Sequence, residues 1–184
     1  MCFIISNVKL SAKIPEKSLD TIKIKCQEND IVFSVYNNFI VFRLSSFTYI
    51  IFKKKLLKNC DKSTEVTQHV NITTKSLEKI PDVINNLKRI LEYKTDVNID
   101  FKMDNITATA SLEKKINFDT FLEKNRDITE KISFNPEKFP SVFISHKNRK
   151  ILLFRSSTFN ILGGKSLEEL NETYSWIFTK CVNI

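Results

Sequence analysis

Only two of the 184 residues are glycine and four are proline. So little turn-forming and linker composition leaves no room for a flexible hinge between parts of the chain. The four cysteines, Cys2, Cys26, Cys60 and Cys181, show no C-x-x-C spacing, and the two histidines, His69 and His146, stand near none of them. A zinc site is therefore not expected, and reduced intracellular thiols are the default. No stretch approaches the ~20 apolar residues of a membrane span, and the apolar opening through Ile5 is too short for a signal sequence. The Asn-x-Thr triplets at Asn71, Asn105 and Asn171 are accordingly read as accidental.

A catalytic constellation is lacking as well. His146 sits in the turn Ser145 to Lys150 with no acidic neighbour in sequence to orient it. Asp96, Asp100 and Asp104 alternate with apolar residues, as on a solvated strand edge, and not in the spacing of a metal site. Gly163-Gly164-Lys165-Ser166 has the end of a phosphate loop but not its upstream glycine. Neither an enzyme, a cofactor nor a small-molecule substrate is expected.

What the chain does have is repetition. Lys75-Ser76-Leu77-Glu78 returns 90 positions later as Lys165-Ser166-Leu167-Glu168. Ahead of it Asn7 answers Asn105, Leu19-Asp20-Thr21-Ile22 answers Phe118-Asp119-Thr120-Phe121, and Phe39/Phe52 answers Phe139/Phe154. A duplicated unit of half the chain follows, spanning 1–94 and 95–184. A unit of that size is marginal alone, so two that share one sheet are expected. The halves differ at one place. Phe52 to Lys75 is 23 positions but Phe154 to Lys165 is 11, so a lysine-rich insertion lies at about 53–68.

Each half closes on a helix. Leu77, Ile80, Ile84, Leu87 and Leu91 fall at helical spacing, and Leu167, Leu170, Tyr174, Ile177 and Cys181 repeat the same offsets. Ser166 with Glu169 has capping-box spacing; Pro81 should delay or bend the first of these helices. Short β-rich runs precede them at 31–36, 39–44, 48–53 and 68–73, then at 132–134, 139–145, 150–155 and 158–162. With a first strand at Asn7 or Asn105 and a short helical segment at 19–22 or 118–121, each half reads strand, short helix, four strands, long helix. The fold class is α+β, with helices on one face of an antiparallel sheet. The strands are apolar on both sides, so the uncovered face is a candidate binding surface. The net charge of +8 favours a polyanionic partner.

Phe134-Asn135-Pro136-Glu137-Lys138-Phe139-Pro140, Lys150-Ile151-Leu152-Leu153-Phe154 and Gly163-Gly164-Lys165 resemble, in order and spacing, the second repeat of the TATA-binding protein family. Phe101-Lys102-Met103-Asp104-Asn105 resembles the strand that opens that repeat, and the first half matches more weakly. The chain looks like a divergent member, of a kind that a large DNA virus or another A·T-rich genome would encode. The resemblance implies a saddle of two pseudo-symmetric repeats, a curved antiparallel sheet of about ten strands with helices on the convex face, laid on the DNA minor groove. It implies phenylalanine wedges at Phe39, Phe52, Phe139 and Phe154, with Pro140 following its wedge. Asn7 and Asn105 would reach the groove centre, and Ile50, Leu152, Val70, Ile72 and Leu162 would face the groove beside Lys9 and Thr107. The implied partners are double-stranded A·T-rich DNA, a transcription factor IIB-like factor met through Glu137 and Lys138, and the RNA polymerase machinery. Lys9, Thr107, Ile72, Leu162 and Lys150 depart from the residue types the family carries at those positions.

Overall fold

The computed structural model describes residues 3–53, 67–126 and 132–182; nearly all of the insertion expected at 53–68 lies outside them. The chain alternates β1 (Phe3–Pro15), α1 (Leu19–Glu28), β2 (Phe33–Val35), β3 (Phe39–Leu44), β4 (Phe47–Phe52), β5 (Thr67–Thr74) and α2 (Ile80–Ile90). The order then recurs as β6 (Phe101–Ser111), α3 (Phe118–Lys124), β7 (Ile132–Phe134), β8 (Ser141–His146), β9 (Arg149–Phe154), β10 (Thr158–Gly164) and α4 (Leu167–Val182). The strand, short helix, four strands, long helix reading thus holds in both halves, and the fold is α+β.

Two compact units divide inside the long strands: Val8–Asp104 forms the first, and Met1–Asn7 with Asn105–Ile184 the second. The boundary expected from the sequence, 94/95, falls instead in the connection between α2 and β6. In the first unit the hydrogen-bonded order is β2-β3-β4-β5-β1, with residues 101–104 of β6 beside β1; in the second, residues 3–7 of β1 are followed by β6-β10-β9-β8-β7. The hairpins and the β1/β5 and β6/β10 pairs are antiparallel.

Local chemistry starts each helix. The Ser18 hydroxyl accepts from the Thr21 amide at 3.0 Å, and Asn117 Oδ1 accepts from Asp119 and Thr120 at 2.9 and 3.2 Å. Such caps contribute about 1 kcal/mol each. At α4 the Glu169 amide donates to Ser166 Oγ at 3.3 Å while the Glu169 carboxylate accepts from the Lys165 amide at 2.9 Å, the reciprocal logic of a capping box. Helix α2 has no side-chain cap at Lys79; Pro81 falls in its first turn, where the missing donor costs nothing, and the helix begins only at Ile80.

In the first unit Val8, Leu10, Ala12 and Ile14 of β1, Ile40 and Phe42 of β3, Phe47, Tyr49 and Ile51 of β4 and Val70 and Ile72 of β5 are buried together with Ile22 and Cys26 of α1. Of the expected stripe Leu87 and Leu91 are buried, joined by Val83 and Ile90, whereas Leu77, Ile80 and Ile84 are only half-buried. Tyr49 also donates its hydroxyl to the Val83 carbonyl at 3.3 Å. Each fully buried aliphatic side chain contributes roughly 1.5–3 kcal/mol, so these alternate positions hold the sheet to its helices.

The second unit repeats the scheme with Ile106, Ala108, Val142, Ile144, Ile151, Leu153, Phe159 and Ile161 on the strands and Phe121, Leu170, Ile177 and Cys181 on the helices. Leu167, expected in the stripe, lies in the first turn of α4 and is 43% exposed. Gly164 lets α4 approach: a Cβ there would meet Leu170 Cδ2 at 2.7 Å. Arg149 is buried at the start of β9 and is paired with Glu169 at 3.3 Å and Glu172 at 2.9 Å, and Lys147 also bonds Glu172. Those cations, Lys147 first, hold the Glu172 carboxyl below its ordinary value of 4.5. Desolvation pushes the Cys26 and Cys181 thiols up to about 11 and about 12, which leaves them unreactive at neutral pH.

The sign of the Glu172 shift sets a pH window. A depressed carboxyl contributes stability that is full above 4.5 and fades as pH falls through its lower folded value. Chemical denaturation of wild type and Glu172→Gln should therefore show a gap at pH 7 that narrows as the pH falls below 4.5, whereas a gap independent of pH would contradict the assignment.

Candidate nucleic-acid interface

Alternation that buries one side of each strand turns the intervening residues to the other side, where the described elements lay no helix. On the first unit this face carries Phe39 and Val41 of β3, Thr48, Ile50 and Phe52 of β4, Asn71 and Thr73 of β5, and Lys9 and Ser11 of β1, all half-buried. Register lines them up: Ser11 opposes Asn71, Asn71 opposes Ile50, and Ile50 opposes Val41. The second unit has the same row in Thr109, Asn160, Leu152 and Phe143. Lys9 opposes Thr73, which opposes Thr48; at the matching row of the second unit Leu162 opposes Lys150, which opposes Ser145 and donates to its hydroxyl at 2.6 Å.

Aromatic clusters mark the β3/β4 and β8/β9 ends of this face. Phe39 and Phe52 are cross-strand partners with ring centroids 5.8 Å apart, and Tyr36, 51% exposed, stacks on Phe39 at 4.5 Å. In the second unit Phe139 lies 5.2 Å from Phe143 and 6.3 Å from Phe154. Phe139 and Phe143 are 39% and 40% exposed, an uncommon state for a large apolar ring unless a partner covers it. Phe143 differs in this from Phe42, Phe47 and Phe159, which are buried in the core. Its pairing with Leu152 puts it on the open face. Tyr36 and Phe143 were missed, although for Phe143 the alternation with buried Val142 and Ile144 carried the signal.

Polar groups fill the remainder. Asn105 Oδ1 accepts from the Gly163 amide at 2.8 Å and its Nδ2 donates to Thr107 Oγ1 at 3.3 Å. Thr109 Oγ1 donates to Asn160 Oδ1 at 2.8 Å. Asn7 is half-buried on the same parity of β1 as Lys9. In the first unit the Asp104 carboxylate accepts from Ser11 Oγ at 3.0 Å and pairs with Lys9 at 3.6 Å. Glu137, Lys138 and Pro140 are exposed in the turn before β8, where the Lys138 and Phe139 amides donate to the Asn135 carbonyl at 3.1 and 3.0 Å.

Two of the expected groove-facing residues are elsewhere. Val70 and Ile72 are 0% exposed and belong to the core, and their neighbours Asn71 and Thr73 take the open face. The reason is a bulge. In β10 the register shifts between Ile161 and Gly164, where Gly163 adopts φ +90°, whereas β5 pairs with β1 without interruption to Thr74. Counting back from the repeated Lys-Ser-Leu-Glu crosses an extra residue in one copy only, and a slip of one residue exchanges the faces of a strand.

Fold and face together define a class: a duplicated α+β chain in which helices cover one side of each sheet and the bare side carries phenylalanine clusters. The family model described as "Transcription factor TFIID (or TATA-binding protein, TBP)" matches residues 100–181. TATA-box-binding protein 3 of Methanosarcina mazei is 30% identical over 107 residues, a match that spans 57% of this chain and 57% of the relative. The solved structure of Methanococcus jannaschii TBP has the same fold, with a TM-score of 0.71 over 99% of both chains at 23% identity. Residues 100–181 are thus similar to the TATA-binding protein family, and the chain has the fold of a TATA-binding protein.

The face assignment is open to measurement. Ile72→Ala should cost about 2–5 kcal/mol in denaturant unfolding, as large-to-small core changes do. Thr73→Ala should stay within about 0.5 kcal/mol. The reverse ranking would restore the expected groove-facing role of Ile72.

Proposed function

We propose that the chain is a transcription initiation factor that binds A·T-rich DNA through the bare sheet faces, in the minor groove, and bends it. The observation that carries this reading is the occurrence, at equivalent corners of the two units, of partly exposed phenylalanine groups on or beside paired strands. An apolar ring offered at the rim of a bare sheet can enter a base step, offset the stacking lost there, and let a kinked duplex contact more protein. Phe39 and Phe52 serve one end, with Tyr36 behind Phe39; Phe139 and Phe154 serve the other, with Phe143 beside Phe139. Ile50 and Leu152 supply apolar contact inside the groove, and Asn7, Asn105, Thr107, Lys9 and Leu162 line it. Amide donors meet the adenine N3 and thymine O2 acceptors, which A·T and T·A present alike. The relative's name, a TATA-box-binding protein, supports the same substrate class. The exposed turn with Glu137, Lys138 and Pro140 stands as the docking point for a transcription factor IIB-like partner and, through it, the polymerase.

The net charge of +8 gives such binding a strong salt dependence. Phe139→Ala combined with Phe154→Ala should abolish duplex bending, read by fluorescence transfer between end labels, while the far-ultraviolet circular dichroism stays native. Undiminished bending would remove the wedge role. An isolated chain that binds no A·T-rich duplex at low salt would favour a scaffold that acts only through protein partners.

A further inference from the structure

The two units offer the groove different hydrogen-bonding chemistry, and the difference can be read from which polar atoms are already engaged. The minor-groove edge of an A·T pair carries only acceptors, whereas G·C adds the guanine N2 amine as a donor. A protein face whose free groups are all donors therefore rejects guanine, and one with a free acceptor receives it.

In the second unit each asparagine carbonyl already accepts one internal hydrogen bond. Asn160 Oδ1 is taken by the Thr109 hydroxyl at 2.8 Å and Asn105 Oδ1 by the Gly163 amide at 2.8 Å. With those oxygens half-occupied, the groups these asparagines offer a ligand most freely are amide N–H, both on Asn160 and one on Asn105, whose other N–H donates to Thr107. At the equivalent row of the first unit the threonine is replaced by Ser11, whose hydroxyl turns away from Asn71 and donates to Asp104 Oδ1 at 3.0 Å. Asn71 makes no side-chain hydrogen bond among the described residues, so its carbonyl stays available. Asp104 is acceptor-only when ionised and has more lone-pair directions than Ser11 and Lys9 occupy. Its side chain is 25% exposed, and Lys9 at 3.6 Å balances its charge, which lowers the penalty for a carboxylate near DNA phosphates.

We infer that the first unit accepts a G·C base pair in its half of the binding site, with the Asp104 carboxylate receiving the guanine N2 amine and Lys9 neutralising the pair, while the second unit requires A·T. The inference rests on the minor-groove reading above. The recognised DNA is then composite, A·T-only toward one end and tolerant of guanine at one position toward the other.

Inosine separates the chemistry from shape, because it pairs like guanine and lacks the N2 amine. Binding of the full chain would be measured at fixed salt to an A·T duplex of about one and a half turns carrying a single G·C pair at each position in succession. One position on one side of the centre should bind within about threefold of the parent, and the others should lose roughly tenfold or more, the usual range for a wrong base. At the tolerant position I·C should bind more weakly than G·C, and Asp104→Ala should erase that difference. A uniform G·C penalty on both sides, or an inosine effect that survives in Asp104→Ala, would overturn the inference and leave minor-groove binding intact. Failure to bind the parent A·T duplex would overturn both. The inosine comparison uses the wild-type chain, so it decides even if the variant does not fold.

Discussion

Everything in this molecule depends on the two-residue period of its strands set against a single covering layer of helix. Wherever the helices bury one parity, as with Ile40, Phe42, Tyr49 and Ile51 in the first unit or Val142, Ile144, Ile151 and Leu153 in the second, the other parity is left bare. An ordinary one-sided sheet would make that second parity polar. Here it mixes phenylalanine, isoleucine and leucine with asparagine, threonine and lysine. The apolar groups are partly exposed in the free chain, a cost that a binding partner relieves.

Repeated residues made much of this legible before any coordinates. The order of elements in both halves, the delay at Pro81, the strand Ile132–Phe134 and the pairing of Phe39 with Phe52 follow from local chemistry and from comparing one half with the other. Val70 and Ile72 did not, because a bulge with Gly163 at φ +90° exists in one copy and not in the other. An alignment anchored beyond it reads every upstream residue of β5 on the wrong face. Corrected for that residue, Asn71 matches Asn160 and Ser11 matches Thr109, a correspondence that no motif displayed. Phe143 was hidden for another reason: phenylalanine serves both the core, as at 42, 47, 118, 121 and 159, and the bare face, so residue type alone does not separate the two.

The same symmetry makes the departures informative. Matching rows carry Lys9 on β1 in one unit and Lys150 on β9 in the other, so each of these rows has a lysine, but on a different strand. Lys9 is tied to Asp104 and Lys150 to the Ser145 hydroxyl. An equal-handed grip on DNA is thus not built into the chain. The duplication supplies the frame, and the polar residues between the aromatic ends supply the asymmetry.

The central claim is that the bare sheet face, and not the helical side, meets DNA. Amide and aromatic nuclear magnetic resonance shifts recorded while an A·T-rich duplex is titrated into the labelled chain test it most directly. Shifts should move at Phe39, Phe52, Asn71, Phe139, Phe143, Phe154 and Asn160, with the solvent sides of α1, α2 and α4 unchanged. Changes concentrated on those helices, with the phenylalanine clusters undisturbed, would contradict the account.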